Sequence, residues 1–175
     1  MQFCEYSYTF TLQVKKNIDV NIFKLDETVE DCAQQHCDKH VSKMILESTQ
    51  MLCTVLWSNG QTAPYLPVHA KHPCTLWAGD SLDNWLWLRQ LAICLNKEFC
   101  WRYDRNLPHR SIDVVDELCP PLIKSKGLQQ LPQCMPDEYK VTNDPITAYR
   151  RYYMGEKSRF ATWTKREVPQ WFKIN

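Results

Sequence analysis

Between Thr28 and Trp57 neither glycine nor proline interrupts the chain, and Cys37, Val41, Met44, Leu52 and Val55 return to one side at about 100° per residue. This pattern predicts a first long amphipathic helix. Thr28-Val29-Glu30-Asp31 opens it as a capping box with Asp in the place of the usual Glu, and Asn59-Gly60 closes it. Pro64 and Pro67 make the following stretch a loop. A second long helix is predicted from a cap at Asp80 or Ser81 to about Asp104, with Trp85, Leu88, Ala92, Leu95 and Phe99 on its main apolar stripe. Trp87, Leu91 and Cys94 widen that stripe, which puts this helix at the centre of the fold.

Prolines at 108, 120, 121, 132 and 136 divide residues 106–141 into loops and short helical pieces. Asp144-Pro145 then reads as an N-cap followed by proline at the first helical position, starting a third helix to about Lys157. Beyond it Phe160, Trp163, Trp171 and Phe172 decorate an irregular tail. At the other end Tyr6, Tyr8, Phe10, Leu12 and Val14 alternate with polar neighbours, and a β-rich run resumes at Ile18. Residues 1–20 read either as a small β-hairpin or as an extension ahead of the domain, whose natural start is Asn21-Ile22-Phe23-Lys24-Leu25-Asp26. The expected architecture is mainly α: one helical domain over residues 21–175, built around two long antiparallel helices, with the third helix and a basic aromatic tail closing one side.

A chain of 175 residues suits one such domain, and its 44% apolar content is that of a protein that folds. The net charge of +1 neither drives nor forbids binding to a polyanion, so a nucleic-acid surface has to come from local clustering. Nine cysteines without a C-x-x-C pair point to neither a ribbon-type zinc site nor a disulfide framework, and several fall at apolar helical positions. With no signal-peptide block and no membrane-length apolar run, the expected location is the cytoplasm, without a membrane partner.

Candidate chemistry concentrates in three places. His36, His40, Lys43 and Glu47 fall within about 60° of one another on the first helix, roughly 100° from the centre of its core face. That position predicts side chains bordering a groove. A lysine held near imidazoles and an apolar wall can become a nucleophile, with a nearby carboxylate as its acid or base. The plainer alternative is a solvated helix flank with Lys43 and Glu47 as an i,i+4 pair. Two histidines at i and i+4 can also share a metal ion, but a third ligand, His69 or His72, would have to come from a fold contact, so no metal or cofactor is assigned.

The second place is His69-Ala70-Lys71-His72-Pro73-Cys74-Thr75-Leu76-Trp77. Pro73 can start a short helical turn with Trp77 plugging the core, or His69, Lys71, His72 and Trp77 can close the groove. The third is the tail, where Tyr149, Arg150, Arg151, Tyr153 and Lys157 are followed by Arg159, Trp163, Lys165 and Arg166. Rings that stack on bases among cations that meet phosphates suit a single-stranded or flipped-out nucleotide; the same residues can equally pack and solvate the third helix.

Cys37-Asp38-Lys39-His40-x-x-Lys43-Met44, His72-Pro73-Cys74-x-x-Trp77, Met135-Pro136-Asp137-Glu138-Tyr139 and Tyr152-Tyr153-x-x-Glu156-Lys157 together resemble a family of phage and viral proteins over residues 21–172. That family is in turn distantly similar to the pyrimidine-dimer DNA glycosylases, whose first long helix opens with Ala-Asp-Gln-His, here Ala33-Gln34-Gln35-His36, and whose tail carries an aromatic cluster like Tyr149 to Tyr153. The resemblance implies a DNA partner and a glycosylase and abasic-site lyase, in which an amine attacks the sugar C1′ and a carboxylate assists. Two departures bear on it. The amine of those enzymes is the α-amino group exposed after the initiator Met, whereas here residues 1–20 precede the matching segment; and seven residues beyond His36, where they place Glu, stands Lys43, the nearest acid being Glu47. The expected chemistry is therefore a modified one, with Lys43 as the imine-forming amine, Glu47 as the carboxylate and His36, His40 or His72 orienting the sugar and phosphates. The alternatives are a non-catalytic viral DNA-binding or host-interaction protein and, third, a metal-dependent nucleotide hydrolase.

Overall fold

The structure is a computed structural model and describes residues 20–173. The hairpin read over residues 1–20 lies outside the described residues, which contain no strand. The chain forms α1 (Val29–Gln35), α2 (Asp38–Ser58), α3 (Pro73–Asp80), α4 (Leu82–Arg102), α5 (Arg110–Glu117) and α6 (Pro145–Tyr152). α6 runs on into a π-helical turn, Tyr153–Lys157, and short 3₁₀ turns lie at Asp137–Tyr139 and Gln170–Phe172.

α2 and α4 form the central pair. The Trp85 indole at the start of α4 donates to the Leu52 carbonyl late in α2, at 3.4 Å, while Arg102 at the end of α4 reaches Asp38 at the start of α2. The two long helices are thus antiparallel. Val41, Met44, Ile45, Leu52 and Val55 of α2 meet Trp85, Leu88, Ala92 and Leu95 of α4 in a fully buried core. Local chemistry sets the helix starts. Thr28 accepts from the Asp31 amide at 3.0 Å, Ser81 from the Asp83 amide and Asp144 from the Thr147 amide, each satisfying an otherwise orphaned donor. Ser81 and Asp83 also hold the return loop, accepting from the amides of Lys126 and Gly127. Gly127 takes φ +76° there, a conformation that side chains with a Cβ rarely adopt.

The uninterrupted helix predicted from Thr28 to Trp57 is in fact two, because His36 and Cys37 adopt extended backbone between α1 and α2. No glycine or proline marks this break. It is held from outside by Arg102, a fully buried guanidinium that donates to the Gln34 carbonyl at 2.7 Å, the His36 carbonyl at 2.8 Å, Asp38 at 3.0 Å and Glu98 at 3.0 Å. Helix termination leaves carbonyls without amide partners, and Arg102 takes two of them. His36 takes a third: its Nδ1 donates to the Cys32 carbonyl at 2.7 Å.

The tail docks on the same knot. Asp38 accepts from the Thr164 amide and hydroxyl and from the Thr162 hydroxyl, the Trp163 indole donates to the Gln35 carbonyl at 2.9 Å, and Arg166 grips Glu98 through two bonds. Both acids lie below their ordinary carboxylate range despite burial, through the Thr164 hydroxyl and other donors at Asp38 and through Arg166 and Arg102 at Glu98.

Replacing Arg102 by Met leaves two carbonyls and part of two carboxylates unpaired in the interior, so we expect a loss of about 3–5 kcal/mol in urea unfolding. Arg102→Lys should recover little, since an ammonium lacks the planar fork. A change within about 1 kcal/mol for Arg102→Met would refute the clamp.

Candidate functional site

Of His36, His40, Lys43 and Glu47, the two histidines pack against the tail, and the stripe is mostly a buried wall instead of a groove rim. His36, His40 and Glu47 are buried, and only the Lys43 side chain, 39% exposed, reaches solvent. The chain on either side of the domain covers the flank that the helical wheel left open. Phe23 stacks on the His40 ring at 4.6 Å between centroids, Tyr153 and Phe160 meet it edge-on, and the Tyr153 hydroxyl and His40 Nδ1 share a hydrogen bond at 2.5 Å. Because the helix breaks at His36, the two histidines also lack the i,i+4 helical relation on which a shared metal ion would rest.

Burial keeps both rings neutral. It pushes His36 down to about 4 and His40 down to about 2, the latter aided by the His36 ring and by Lys157, Lys43 and Lys39 nearby. With its Nδ1 proton given to Cys32, His36 is left with a bare Nε2 lone pair that is buried and has no partner among the described residues.

Lys43 and Glu47 form an ion pair at 3.0 Å, a contact of charges outside hydrogen-bond alignment, whose halves stand in different media: the amine at the surface, the carboxylate only 5% exposed. Desolvation raises the Glu47 carboxyl above its ordinary value, against the pull of Lys43, the Asn21 amide and the charge of His69. The Asn21 amide points at the second Glu47 oxygen from 3.4 Å. His69 belongs to an exposed turn closed by the His72 amide on the His69 carbonyl, and holds φ +53°. Non-glycine residues in that region mark turns under local strain, which concentrate at functional sites.

Around His40 and the Phe160 ring that meets it gather cations without an acidic partner among the described residues. Lys39 lies over the Phe160 ring at 4.6 Å, Arg159 over the same ring at 5.7 Å, and Lys157 over Tyr152 at 4.4 Å. The other tail cations serve the fold. Arg150 is tied to Asp26 and the Leu25 carbonyl, Arg166 to Glu98 and Lys165 to Asp104, while Arg151 is exposed. Of the tail rings, Tyr149 and Tyr153 are fully buried and Trp163 nearly so, so their faces pack the core and are closed to a base.

Asn21 joins the Lys43–Glu47 pair to a second polar group. Its side-chain oxygen accepts from the Tyr149 hydroxyl at 2.9 Å and the Cys74 thiol at 3.6 Å, while its side-chain nitrogen donates to the Cys134 carbonyl at 2.7 Å. Cys74 donates to the Cys134 sulfur at 3.6 Å, which makes Cys134 the thiol of the pair that ionises more readily. His72 caps α3, its Nδ1 accepting from the Cys74 amide at 3.2 Å with Pro73 at the first helical position. Trp77 is buried and donates to the Gln129 carbonyl, and Lys71 is exposed on the 69–72 turn. His72, Cys134, Lys140 and Tyr152 line a cleft of about 590 Å³. A cleft of similar size near Gln34, Arg150, Arg166 and Trp171 has both its arginines committed to Asp26 and Glu98.

The sequence pattern singled out Lys43, Glu47, His69 and His72, of which Glu47 meets Asn21 directly and His72 meets Asn21's partner Cys74, and missed Asn21, Lys39, Cys134 and Tyr152. Cys134 stood directly before the Met-Pro-Asp-Glu-Tyr motif, and Asn21 at the recognised domain start; both gave a signal. No protein-family model matches the chain, and no curated protein or solved structure gives a significant match. No helix among the described residues is long and apolar enough to cross a membrane.

The buried histidines set a pH dependence. An unfolded histidine takes up a proton near pH 6.5, whereas folded His36 resists until about 4 and folded His40 until about 2. The unfolded state therefore binds protons first on acidification. Stability is full above about pH 6.5 and falls as pH drops toward 4, by about 3 kcal/mol for His36 alone. Urea midpoints measured from pH 8 to 4 should show this loss beginning above the carboxylate range, and a flat midpoint between pH 6.5 and 5 would contradict neutral burial.

Proposed function

We propose that this is a DNA-binding protein of the pyrimidine-dimer glycosylase and abasic-site lyase type, acting on or recognising a modified base, with Lys43 as the attacking amine. The observation that carries this reading is the Lys43–Glu47 pair: a solvent-reaching amine 3.0 Å from a buried carboxylate whose proton affinity is raised. Such a carboxylate accepts the ammonium proton and returns it within one active site. The cations Lys39, Lys157 and Arg159, clear of acidic partners among the described residues, offer contacts to phosphates flanking the sugar.

The Asn21 backbone nitrogen faces Glu47, so the start of the segment that resembles the phage and viral proteins lies against this carboxylate. On an abasic site Lys43 passes one proton to Glu47 and adds through Nζ to the open-chain C1′ aldehyde; a second proton moves from the new C–N nitrogen to the aldehyde oxygen, and Glu47 then returns the first to that hydroxyl, which leaves as water to give the iminium. The freed carboxylate removes a C2′ proton, and the 3′ phosphate departs by β-elimination. With an intact nucleoside Nζ displaces the base at C1′, the base leaves with the proton held by Glu47, and a proton passing from Nζ to O4′ opens the sugar ring to the same iminium.

Borohydride reduction during incubation with abasic-site DNA should trap a covalent complex. Lys43→Met should abolish it while leaving salt-dependent DNA binding, and Glu47→Gln should slow trapping by about 10²-fold or more. No adduct with the wild-type chain, or an undiminished one with Lys43→Met, would sink the lyase. Retained binding without any adduct would instead favour a non-catalytic DNA-binding protein.

A further inference from the structure

His72, Cys74 and Cys134 place their ligand atoms within 4.8 Å of one another, a group that draws the N-terminus of α3 and the distant 132–136 loop together. The chemistry of the set is selective. Two thiols and an imidazole offer no oxygen to a hard cation such as Mg²⁺ or Ca²⁺, but suit a soft or borderline one. Two thiolates on one tetrahedral zinc, each at about 2.3 Å, stand about 3.8 Å apart. The Cys74 and Cys134 sulfurs stand 3.6 Å apart. A disulfide requires about 2.05 Å, so the present spacing fits one shared ion better than a bond.

We infer that His72, Cys74 and Cys134 form a zinc-type site, three protein ligands with the fourth position open to the adjoining cleft. His72 and Cys134 both line that cleft beside Lys140 and Tyr152. Coordination through His72 Nδ1 replaces the cap to the Cys74 amide, a long bond at 3.2 Å. The two thiols bind as thiolates, so one divalent ion enters and two protons leave to solvent. The ion ties the 132–136 loop to α3 and gives the cleft a Lewis acid able to hold an anionic or neutral oxygen ligand. The site does not depend on the amine of Lys43, so its success or failure leaves the lyase reading untouched.

The test uses the full chain, purified under a non-thiol reductant, stripped with a chelator and titrated with Co²⁺ alone. One equivalent should bind with the tetrahedral visible bands and the thiolate-to-cobalt charge-transfer band, and Zn²⁺ should displace it. Cys134→Ser should lose about half of the charge-transfer intensity per bound cobalt and His72→Gln should weaken binding by roughly tenfold or more, while Cys119→Ser, at an exposed position, should change neither. Circular dichroism of each variant checks the fold. No stoichiometric binding, a charge-transfer band unaffected by Cys134→Ser, or a Cys74–Cys134 disulfide in place of metal affinity would overturn the assignment.

Discussion

A single buried guanidinium organises this protein. Arg102, at the last turn of α4, satisfies two carbonyls released where α1 ends and neutralises Glu98 and Asp38. An unpaired charge in that position would cost several kcal/mol, so the four acceptors and the donor define one another's places. Without them the stretch from Thr28 to Ser58 has every local reason to continue as one helix. With them it turns at His36 and Cys37, and α2 starts with its first residue, Asp38, already holding the tail through Thr162 and Thr164.

That turn decides what the ionisable stripe becomes. His36 leaves the helix and buries its ring, His40 is sealed beneath Phe23, Tyr153 and Phe160, and Glu47 sinks beside Asn21. Lys43 alone reaches the surface, paired with a buried carboxylate, and shares the surroundings of the neutral His40 ring with Lys39 and Lys157. The histidines thus stand as uncharged, buried rings of low polarity. A charged imidazole pair in the same place would raise the local positive potential and crowd the amine.

Legibility in the sequence followed the range of the forces involved. Thr28, Ser81 and Asp144-Pro145 are caps satisfied within three residues, and each was readable on its own. The break at His36 was not, because its cause lies 66 residues further on in Arg102. Lys43 and Glu47 were legible as an i,i+4 pair; that one half would be buried was not, since Asn21 from the segment before α1 packs against it. The rings of Tyr149, Tyr153 and Trp163 read equally well as stacking platforms or as core, and the fold spends them on packing. Cys74 and Cys134, 60 residues apart, had no pattern to join them.

The central functional claim is that DNA meets the face carrying Lys39, Lys43 and Lys157. Reductive dimethylation of lysines, read by peptide mass spectrometry with and without an abasic-site duplex, addresses it directly. The account predicts that these three lose reactivity when the duplex is present, while Lys126, paired with Asp80 by the start of α4, and Lys165, paired with Asp104 past its end, do not. Uniform protection of all lysines, or protection that spares Lys43, would contradict it.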